Sequence, residues 1–329
     1  MRNLKKILPD FFITGIILMI ILAWLMPEIG ENGSPLELDQ FIYYGISLLF
    51  FFYGLQLSPA RLLNDLKDWK LHLLIQAITY VLFPVIVLLF FPFFSHSSYR
   101  VLWLAVFFLA VLPSTVSSSV VMVSIAGGNI PTAIFNASIS GIIGLFITPL
   151  WMSRFMNNQN SSFSFFSVMI DLTFQILIPL IIGLIFHRYW GNWANRHKKQ
   201  LALFDKGVIF CIVYHSFSHS FSAGIFQSIA PPQLIILLIS VIGLFFIVFE
   251  STKWLSRRLK FNRETQITIQ FCGSKKSLIH GSVMASVLFA GSPYGSLFLV
   301  PVMIYHAFQL FYISIVARHY RETAANTDC

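Results

Sequence analysis

The residues best suited to chemistry are Lys275 and Lys276, two adjacent lysines inside a polar break of an otherwise apolar segment. Gly273, Ser274 and Ser277 complete the break. A lysine near the centre of a bilayer costs about 2.5–3.5 kcal/mol on insertion scales, so a charge at that depth marks a functional site by default. Irregular backbone there also needs a lining of protein or water. The break therefore predicts the binding centre of a transporter.

The depth of the lysines follows from the flanking sequence. At about 1.5 Å per helical residue, Lys275 would lie roughly 18 Å from Arg263 and roughly 24 Å from Gly291. These lengths place it near the middle of a hydrocarbon layer about 30 Å thick. An ammonium group at that depth cannot easily reach the interface by snorkelling.

A second polar interruption precedes the first by about 160 positions. Proline cannot donate a backbone hydrogen bond and disfavours helix in the residue before it, so carbonyls around Ala110–Leu112 are partly freed. Hydroxyl groups next to them could act as oxygen ligands. Small residues also allow close helix packing, but six such residues in seven favour a site. They are Pro113, Ser114, Thr115, Ser117, Ser118 and Ser119.

The two lysines admit two roles. A broken helix leaves a carboxyl-terminal end with partial negative charge and unpaired carbonyls, the place that sodium occupies in many transporters. A tethered ammonium could occupy that place and could exchange a proton during the cycle. Alternatively, one lysine pairs with an anionic substrate. Adjacent helical positions point about 100° apart, so we expect different roles for the two, which the sequence does not assign.

Weaker candidates lie in the neighbouring apolar segments. Thr132, Asn136 and Ser140 follow one another at intervals of four, on one face of a helix. A buried amide needs hydrogen-bond partners, so Asn136 fits either a lining of the same centre or an interhelical clip. Gln76, two segments earlier, has the same two interpretations.

Histidines supply the remaining candidates. His215 and His219 are four residues apart, a spacing that can hold one metal ion on a helix face. No third ligand is apparent, and helix packing or a polar lining is the favoured interpretation. His280 follows the lysines by about one helical turn and is a candidate proton relay. Tyr305 and Gln309 are weaker still.

The composition is that of an all-α polytopic membrane protein. Of 329 residues, 57% are hydrophobic and 11% are charged, and the mean hydropathy is +0.76. The net charge of +9 is not accompanied by a nucleic-acid-binding motif. The three cysteines have no spacing typical of a disulfide framework or a zinc site. HExxH, Gly-x-Ser-x-Gly and P-loop motifs are missing, so we do not expect an enzyme.

Ten apolar runs are long enough to cross a membrane: residues 10–26, 40–57, 71–94, 101–125, 130–152, 166–187, 206–227, 233–252, 266–290 and 296–317. With these spans, 18 of the 22 lysines and arginines fall on one side. Only Arg100 and Arg154 fall on the other side, and the two central lysines complete the total. Because cytoplasmic loops carry the excess of basic residues, both termini are predicted to be cytoplasmic.

The ten spans divide into two halves of five, residues 1–157 and 158–329, within one integral membrane unit that has no soluble domain. The fourth span of each half, 101–125 and 266–290, carries the polar interruption. Since each half has an odd number of spans, the halves insert with opposite orientation. Paired interruptions in inverted halves indicate a substrate site near the middle of the membrane.

At these motifs the sequence resembles the bile acid:sodium symporter family, specifically its bacterial, SBF-like branch, over nearly the whole chain. The most specific matches are Phe271–Leu278, Ala126–Asn129 and Leu112–Thr115. The resemblance implies ten helices in two inverted five-helix repeats. It also implies a core domain around crossing, broken helices four and nine, and a panel domain from helices one, two, six and seven.

The chain departs from the family at the ion site. Sodium-coupled members carry a glutamate in helix nine, followed by a Gln–Asn pair that ligates sodium. Aligned on Gly273, this chain has Phe271 and then the two lysines. The family's Ser–Asn of helix four corresponds to Ser119 and Val120. Several sodium ligands are thus replaced and two positive charges are gained.

We therefore expect a secondary transporter of a small organic anion in the inner or plasma membrane, working by alternating access and independent of the family's usual sodium coupling. The alternative is a non-transporting membrane regulatory protein that keeps the fold. The expected partners are the bilayer and the anion, not nucleic acid, and the oligomeric state is left open. No cofactor or metal is expected, although sodium stays possible despite its substituted ligands.

Overall fold

The computed structural model describes residues 11–30, 37–57, 69–94, 99–115, 117–156, 165–290, 292 and 294–325. Within these ranges all regular secondary structure is helical, in agreement with the all-α class. Fifteen α-helices, α1 to α15, are Phe11–Leu25, Leu38–Gln56, Trp69–Ala77, Phe83–Leu88, Phe91–Phe94, Arg100–Val111, Ser117–Ala126, Ile130–Met156, Phe165–Leu172, Ile178–Arg196, Lys198–Ser222, Pro231–Arg258, Arg263–Gly273, Leu278–Leu288 and Gly295–Ala325.

Four short elements connect these helices. A π-helical turn, Ile78–Leu82, joins α3 to α4, and another, Thr173–Leu177, joins α9 to α10. Turns of 3-10 helix follow α1 at Pro27–Gly30 and α11 at Ile225–Ser228. The π-helical turn after α3 shifts the backbone hydrogen-bond register inside a span, which matters for the candidate site below.

Within the described residues, seven helical stretches are long and apolar enough to cross a membrane, in agreement with a polytopic membrane protein. They are Leu38–Gln56, Trp69–Leu88, Ile130–Met156, Met169–Arg196, Lys198–Ser222, Pro231–Arg258 and Gly295–Thr323. The first, fourth and ninth predicted spans contain shorter helices, namely α1, the pair α6 and α7, and the pair α13 and α14. The total of ten crossings therefore stays a prediction.

The chain forms two compact units, each assembled from separate stretches of sequence. Unit 1 comprises Met1–Leu57, Ile170–Ile229 and Ser282–Ser296, and unit 2 comprises Ser58–Met169, Ala230–Gly281 and Leu297–Cys329. Each unit takes residues from both predicted repeats, so a repeat and a compact unit are different divisions of this chain.

In unit 1, α2 and α10 approach each other through two glycines. A Cβ atom on Gly54 would lie 2.2 Å from the carbonyl oxygen of Leu180, and one on Gly183 would lie 2.1 Å from that of Phe51. Any larger residue would force the two backbones apart. Small residues of this kind let membrane helices pack closely where no hydrophobic effect drives them together.

In unit 2, aromatic side chains surround the polar segments. The ring of Tyr305 lies 6.1 Å from that of Phe83 and 5.6 Å from that of Phe245, centroid to centroid. Trp103 stacks on Phe107 at 5.1 Å. These large residues pack in the interior of the unit, where buried polar groups need hydrogen-bond partners.

Candidate functional site

The two polar interruptions meet in unit 2. Ser277 donates its backbone N–H to the carbonyl oxygen of Pro113 at 2.9 Å, and the hydroxyl of Ser114 donates to the carbonyl oxygen of Cys272 at 2.7 Å. Helix α6 ends at Val111, directly before the non-helical segment that contains Pro113. The segments predicted to face each other are thus in direct contact.

Lys276 lies at the centre of this junction and is 1% exposed. Its Nζ donates to the carbonyl oxygens of Thr79, Ala110 and Leu112 at 2.8, 2.7 and 2.8 Å. All three donors of the ammonium group are therefore used. The ring of Phe83 lies 4.0 Å from Nζ, within range of a cation–π contact. We call these three carbonyls the Lys276 cage.

The carbonyl of Ala110 is available to the cage because its usual helical donor is turned away. In an α-helix that oxygen would accept the N–H of residue 114. Here Ser114 donates its N–H to the hydroxyl oxygen of Ser140 at 3.0 Å instead. Pro113 ends the helix, and Ser140 holds the redirected backbone in place.

The carbonyl of Thr79 is freed by a different device. In the π-helical turn Ile78–Leu82, Phe83 donates its N–H to Ile78 rather than to Thr79. The next residue, Pro84, has no N–H to offer. Thr79 was not among the residues expected at the site. The signal that could have indicated it is a proline inside the third apolar span.

Residues of α15 fix the backbone on either side of Lys276. Gln309 accepts the Lys276 N–H at 2.9 Å and donates to the Lys276 carbonyl at 2.8 Å. Tyr305 donates its hydroxyl to the carbonyl oxygen of Ser274 at 2.6 Å, while the hydroxyl of Ser274 donates back to Gln270 at 2.6 Å. These four bonds fix the backbone of Ser274 and Lys276 within the non-helical break.

Lys275 is as deeply buried as its neighbour but is bonded differently. Its side chain is 0% exposed, and Nζ donates to the carbonyl oxygen of Ser118 at 2.8 Å. Within the described ranges this is its single hydrogen bond, which leaves two ammonium N–H groups unused. Neither Lys275 nor Lys276 has a carboxylate partner among the described residues.

The hydroxyl groups of the fourth predicted span cluster at the start of α7. Thr115 bonds to the hydroxyls of Ser118 and Ser119 at 2.8 and 2.9 Å. Ser117 is the first residue of α7, and its side chain lies outside the described part of the structure. Gly273 ends α13, and a Cβ there would contact Ile78 at 3.1 Å.

Asn136 forms a bonded group between α3 and α8. Its Nδ2 lies 2.8 Å from Nδ1 of His72 and donates to the carbonyl oxygen of Thr132 at 2.9 Å. Gln76 donates to the backbone and side-chain oxygens of Asn136 at 3.2 and 3.3 Å. These contacts are those of an interhelical clip, one of the two expected arrangements. His72 was not anticipated from the sequence.

Ser140, one turn further along α8, connects this face to the junction. It accepts the N–H of Ser114, and the hydroxyl of Tyr80 donates to its carbonyl oxygen. Two turns beyond, Thr148 donates to the carbonyl of Val111 at 2.7 Å, again at the end of α6. Tyr80 and Thr148 were missed because a single tyrosine or threonine in an apolar span carries no distinctive pattern.

The histidines fall into two settings. His280 lies in α14, where its Nδ1 is 3.0 Å from the hydroxyl of Ser277, close to the lysines. His215 belongs to unit 1, and its two ring nitrogens lie 3.0 Å from a carboxylate oxygen of Asp39 and 2.7 Å from the carbonyl of Gly30. His219 follows it by one turn in α11. In the described part of the chain, no three His, Cys, Asp or Glu side chains cluster to hold a metal.

Unit 2 also contains a cavity of about 300 Å³. Its lining is almost wholly apolar and includes Ile86, Phe90, Trp103, Leu237 and Ile247. None of the residues predicted for the site lines it. Among its lining residues only Tyr99 and Ser240 carry hydroxyl groups and none is charged, so the cavity lacks the charged groups that a site for an organic anion requires.

Comparison with known proteins gives a consistent result over the whole chain. Residues 10–322 match the SBF-like CPA transporter family. The chain is 36% identical to an uncharacterized protein of Pseudomonas aeruginosa, over 96% of this chain and 94% of that protein. It is 34% identical to the putative symporter YfeH of Escherichia coli, over 97% and 95%. It is also 34% identical to the sodium/bile acid cotransporter 7-B of Xenopus laevis, over 96% and 93%.

Proposed function

Because the chain belongs to the SBF-like CPA transporter family, we propose that it is a secondary transporter of a small organic anion. In this proposal it works by alternating access, and a lysine ammonium stands where sodium-coupled relatives bind their ion. Relatives that match along almost their full length include a protein named a symporter and proteins named sodium/bile acid cotransporters. A bile acid is an organic anion, which supports that substrate class.

The observation that carries the proposal is the Lys276 cage. Three backbone carbonyls converge on one buried cation where two helices are interrupted. In secondary transporters, unwound carbonyls and half-helix ends are the groups that coordinate the coupling ion. A tethered ammonium that already fills such a place leaves no vacancy for sodium, so sodium would be dispensable.

The grouping of helices supports an alternating-access mechanism. Besides Ser282–Ser296, unit 1 contains α1, α2, α10 and α11, which are the first, second, sixth and seventh predicted spans. These are the spans that the family resemblance assigns to the panel. The junction with both lysines belongs to unit 2. Movement of one rigid unit against the other is the general means by which such transporters expose a site alternately.

Flux in proteoliposomes tests the proposal. We expect purified protein to accumulate radiolabelled cholate, or one of a series of smaller carboxylates and sulfonates, at equal rates in sodium and choline buffers. Lys276→Met should abolish that flux, and protein-free liposomes give the background. A strict sodium requirement would contradict the ammonium's role. No flux with any anion or ion gradient would favour a non-transporting regulatory protein.

A further inference from the structure

The two lysines at the junction are equally buried but differ in how their charges are compensated. Lys276 directs all three ammonium donors at carbonyl oxygens and lies against an aromatic ring. Lys275 makes a single such bond, to Ser118, among the described residues. A charge transferred out of water is costly unless it is paired and hydrogen-bonded. The cost is therefore largely offset for Lys276 but not for Lys275.

We propose that Lys275 binds the anionic group of the transported molecule, whereas Lys276 is a permanent internal cation that holds the junction together. This assignment rests on the proposed function and adds the identity of the substrate-binding residue. A carboxylate or sulfonate would supply Lys275 with the counter-charge that the described residues do not provide. It would also accept hydrogen bonds from the two ammonium N–H groups of Lys275 that are unused among the described residues.

The surroundings of Lys275 suit an anion. Ser118, its one partner among the described residues, lies in the first turn of α7, where the helix dipole favours negative charge. The hydroxyls of Thr115, Ser118 and Ser119 lie within bonding distance of one another there. Hydroxyl hydrogens rotate to suit a partner, so these groups can turn toward an acceptor. Lys275 is fully buried, so the anion would enter only in a rearranged state, as alternating access requires.

The cage explains why the lysines cannot exchange roles. Thr79, Ala110 and Leu112 belong to two different spans, and Lys276 bridges them. Removing its ammonium would take this donor away from three carbonyls, and a buried polar group that loses its partner is costly. Removing the Lys275 ammonium would affect one such carbonyl and would also remove an under-compensated charge. We therefore expect loss of the Lys276 ammonium to destabilise the substrate-free protein, and loss of the Lys275 ammonium to leave its stability unchanged or higher.

A matched pair of substitutions tests the division of roles. Lys275→Met and Lys276→Met delete the same group at the same burial, and the exposed Lys199→Met serves as the control. In purified protein without added substrate, Lys276→Met should lower the unfolding midpoint strongly or prevent recovery of monodisperse protein. Lys275→Met should melt at or above the parent's temperature. Equal losses for the two, or the reverse order, would overturn the assignment.

A double-mutant cycle tests the uncompensated charge without any ligand. Ser118→Asp places a carboxylate next to Lys275, so it should raise the midpoint by several degrees in the parent and lower it in Lys275→Met. The coupling energy between Ser118→Asp and Lys276→Met should be far smaller than that between Ser118→Asp and Lys275→Met. Additive effects of Ser118→Asp and Lys275→Met would overturn the proposal, because they would mean that Lys275 needs no counter-charge.

Flux measurements separate this inference from the proposed function. If the parent transports an anion, Lys275→Met should lose uptake while its fold and melting temperature are kept, and Ser118→Asp should also block uptake by occupying the lysine. Full uptake by Lys275→Met would overturn the inference and leave transport intact. If the parent transports nothing, the proposed function fails, and substrate binding by Lys275 fails with it.

Discussion

Ser277 donates its backbone N–H to the carbonyl oxygen of Pro113 at 2.9 Å, so the two interruptions are joined main chain to main chain. This bond does not depend on any side chain. It fixes the distance between the end of α6 and the start of α14, and Lys276 reaches the cage from within that fixed frame. Backbone changes at the interruptions should therefore disturb the site more than most side-chain changes around it.

The prolines that free the cage carbonyls provide the first prediction. Pro113→Ala and Pro84→Ala each restore an N–H that can extend the helix and recapture a carbonyl. We expect both variants to lower the unfolding midpoint and the flux, because Lys276 then loses acceptors. Pro179→Ala, which follows the π-helical turn Thr173–Leu177 in unit 1 as Pro84 follows Ile78–Leu82 in unit 2, is the matched control and should retain activity. Normal flux in Pro84→Ala would contradict the role given to Thr79.

The glycine contact between α2 and α10 gives a second prediction, which is independent of transport. Gly183→Ala places a methyl group about where the carbonyl of Phe51 lies and should destabilise unit 1 by about 1–3 kcal/mol. Gly207→Ala, in α11, meets no atom within 4 Å and should be neutral or stabilising. Thermal unfolding of the two variants in the same detergent compares them. Equal midpoints would mean that α2 and α10 separate easily.

Crosslinking tests the approach of the interrupted segments in the membrane. In a background without native cysteines, Ser118→Cys and Ser277→Cys should form a disulfide or a short methanethiosulfonate crosslink. The reason is that Lys275, two residues before Ser277, bonds directly to Ser118. The two single-cysteine variants, mixed, control for links between molecules. Free labelling of both cysteines without any crosslink would contradict the contact.

Much of this arrangement could be predicted from residue types. Lys275, Lys276 and the Pro113 segment stand out because charge, proline and clustered hydroxyls are rare in apolar spans, and the structure brings these segments together. The different bonding of the two lysines could not be predicted, because their directions depend on an interrupted backbone rather than on helical geometry. Thr79 was missed because it contributes a backbone carbonyl, and the residue that marks this carbonyl as free is not Thr79 itself but Pro84, five positions later.

Residue patterns alone also could not predict which spans group into the same compact unit. Hydropathy predicts where Leu38–Gln56 and Ile178–Arg196 run, but not that Gly54 and Gly183 bring them into contact. Glycines occur in many spans, and only the three-dimensional pairing shows which ones face a backbone. For the same reason the sequence left three roles open for His215, namely metal binding, a polar lining or helix packing. In the structure its ring contacts Asp39 and Gly30.

The asymmetry of basic residues predicts that both termini are cytoplasmic. A fluorescent protein fused after Cys329 should fluoresce, while alkaline phosphatase at the same place should be inactive. Alkaline phosphatase fused after Gly30, in the loop without lysine or arginine, should be active. Active phosphatase at the carboxyl terminus would rule out an even number of crossings with a cytoplasmic amino terminus.

Restoring the family's ion ligands is the last prediction. Lys276→Asn removes the ammonium from the cage, and Lys275→Gln, Phe271→Glu and Val120→Asn return the remaining side chains of sodium-coupled relatives. Three buried carbonyls would then lack a donor, so a free cation should enter. We expect this variant to unfold at a higher temperature in sodium chloride than in choline chloride at equal ionic strength. The parent should show no such difference.

Among these four substitutions, Phe271→Glu also changes the packing of a buried aromatic side chain. Phe271 is fully buried and stacks on Tyr320 at 6.0 Å and on Phe249 at 6.4 Å, so a glutamate there also breaks an aromatic contact. The triple variant that retains Phe271 separates the two effects, because it opens the cage and keeps the stack. If the ammonium occupies an ion's place, sodium should stabilise the quadruple variant most and the triple variant less. It should not stabilise the parent. Equal melting of all three in both salts would mean that the carbonyls of Thr79, Ala110 and Leu112 bind a lysine but cannot bind an ion.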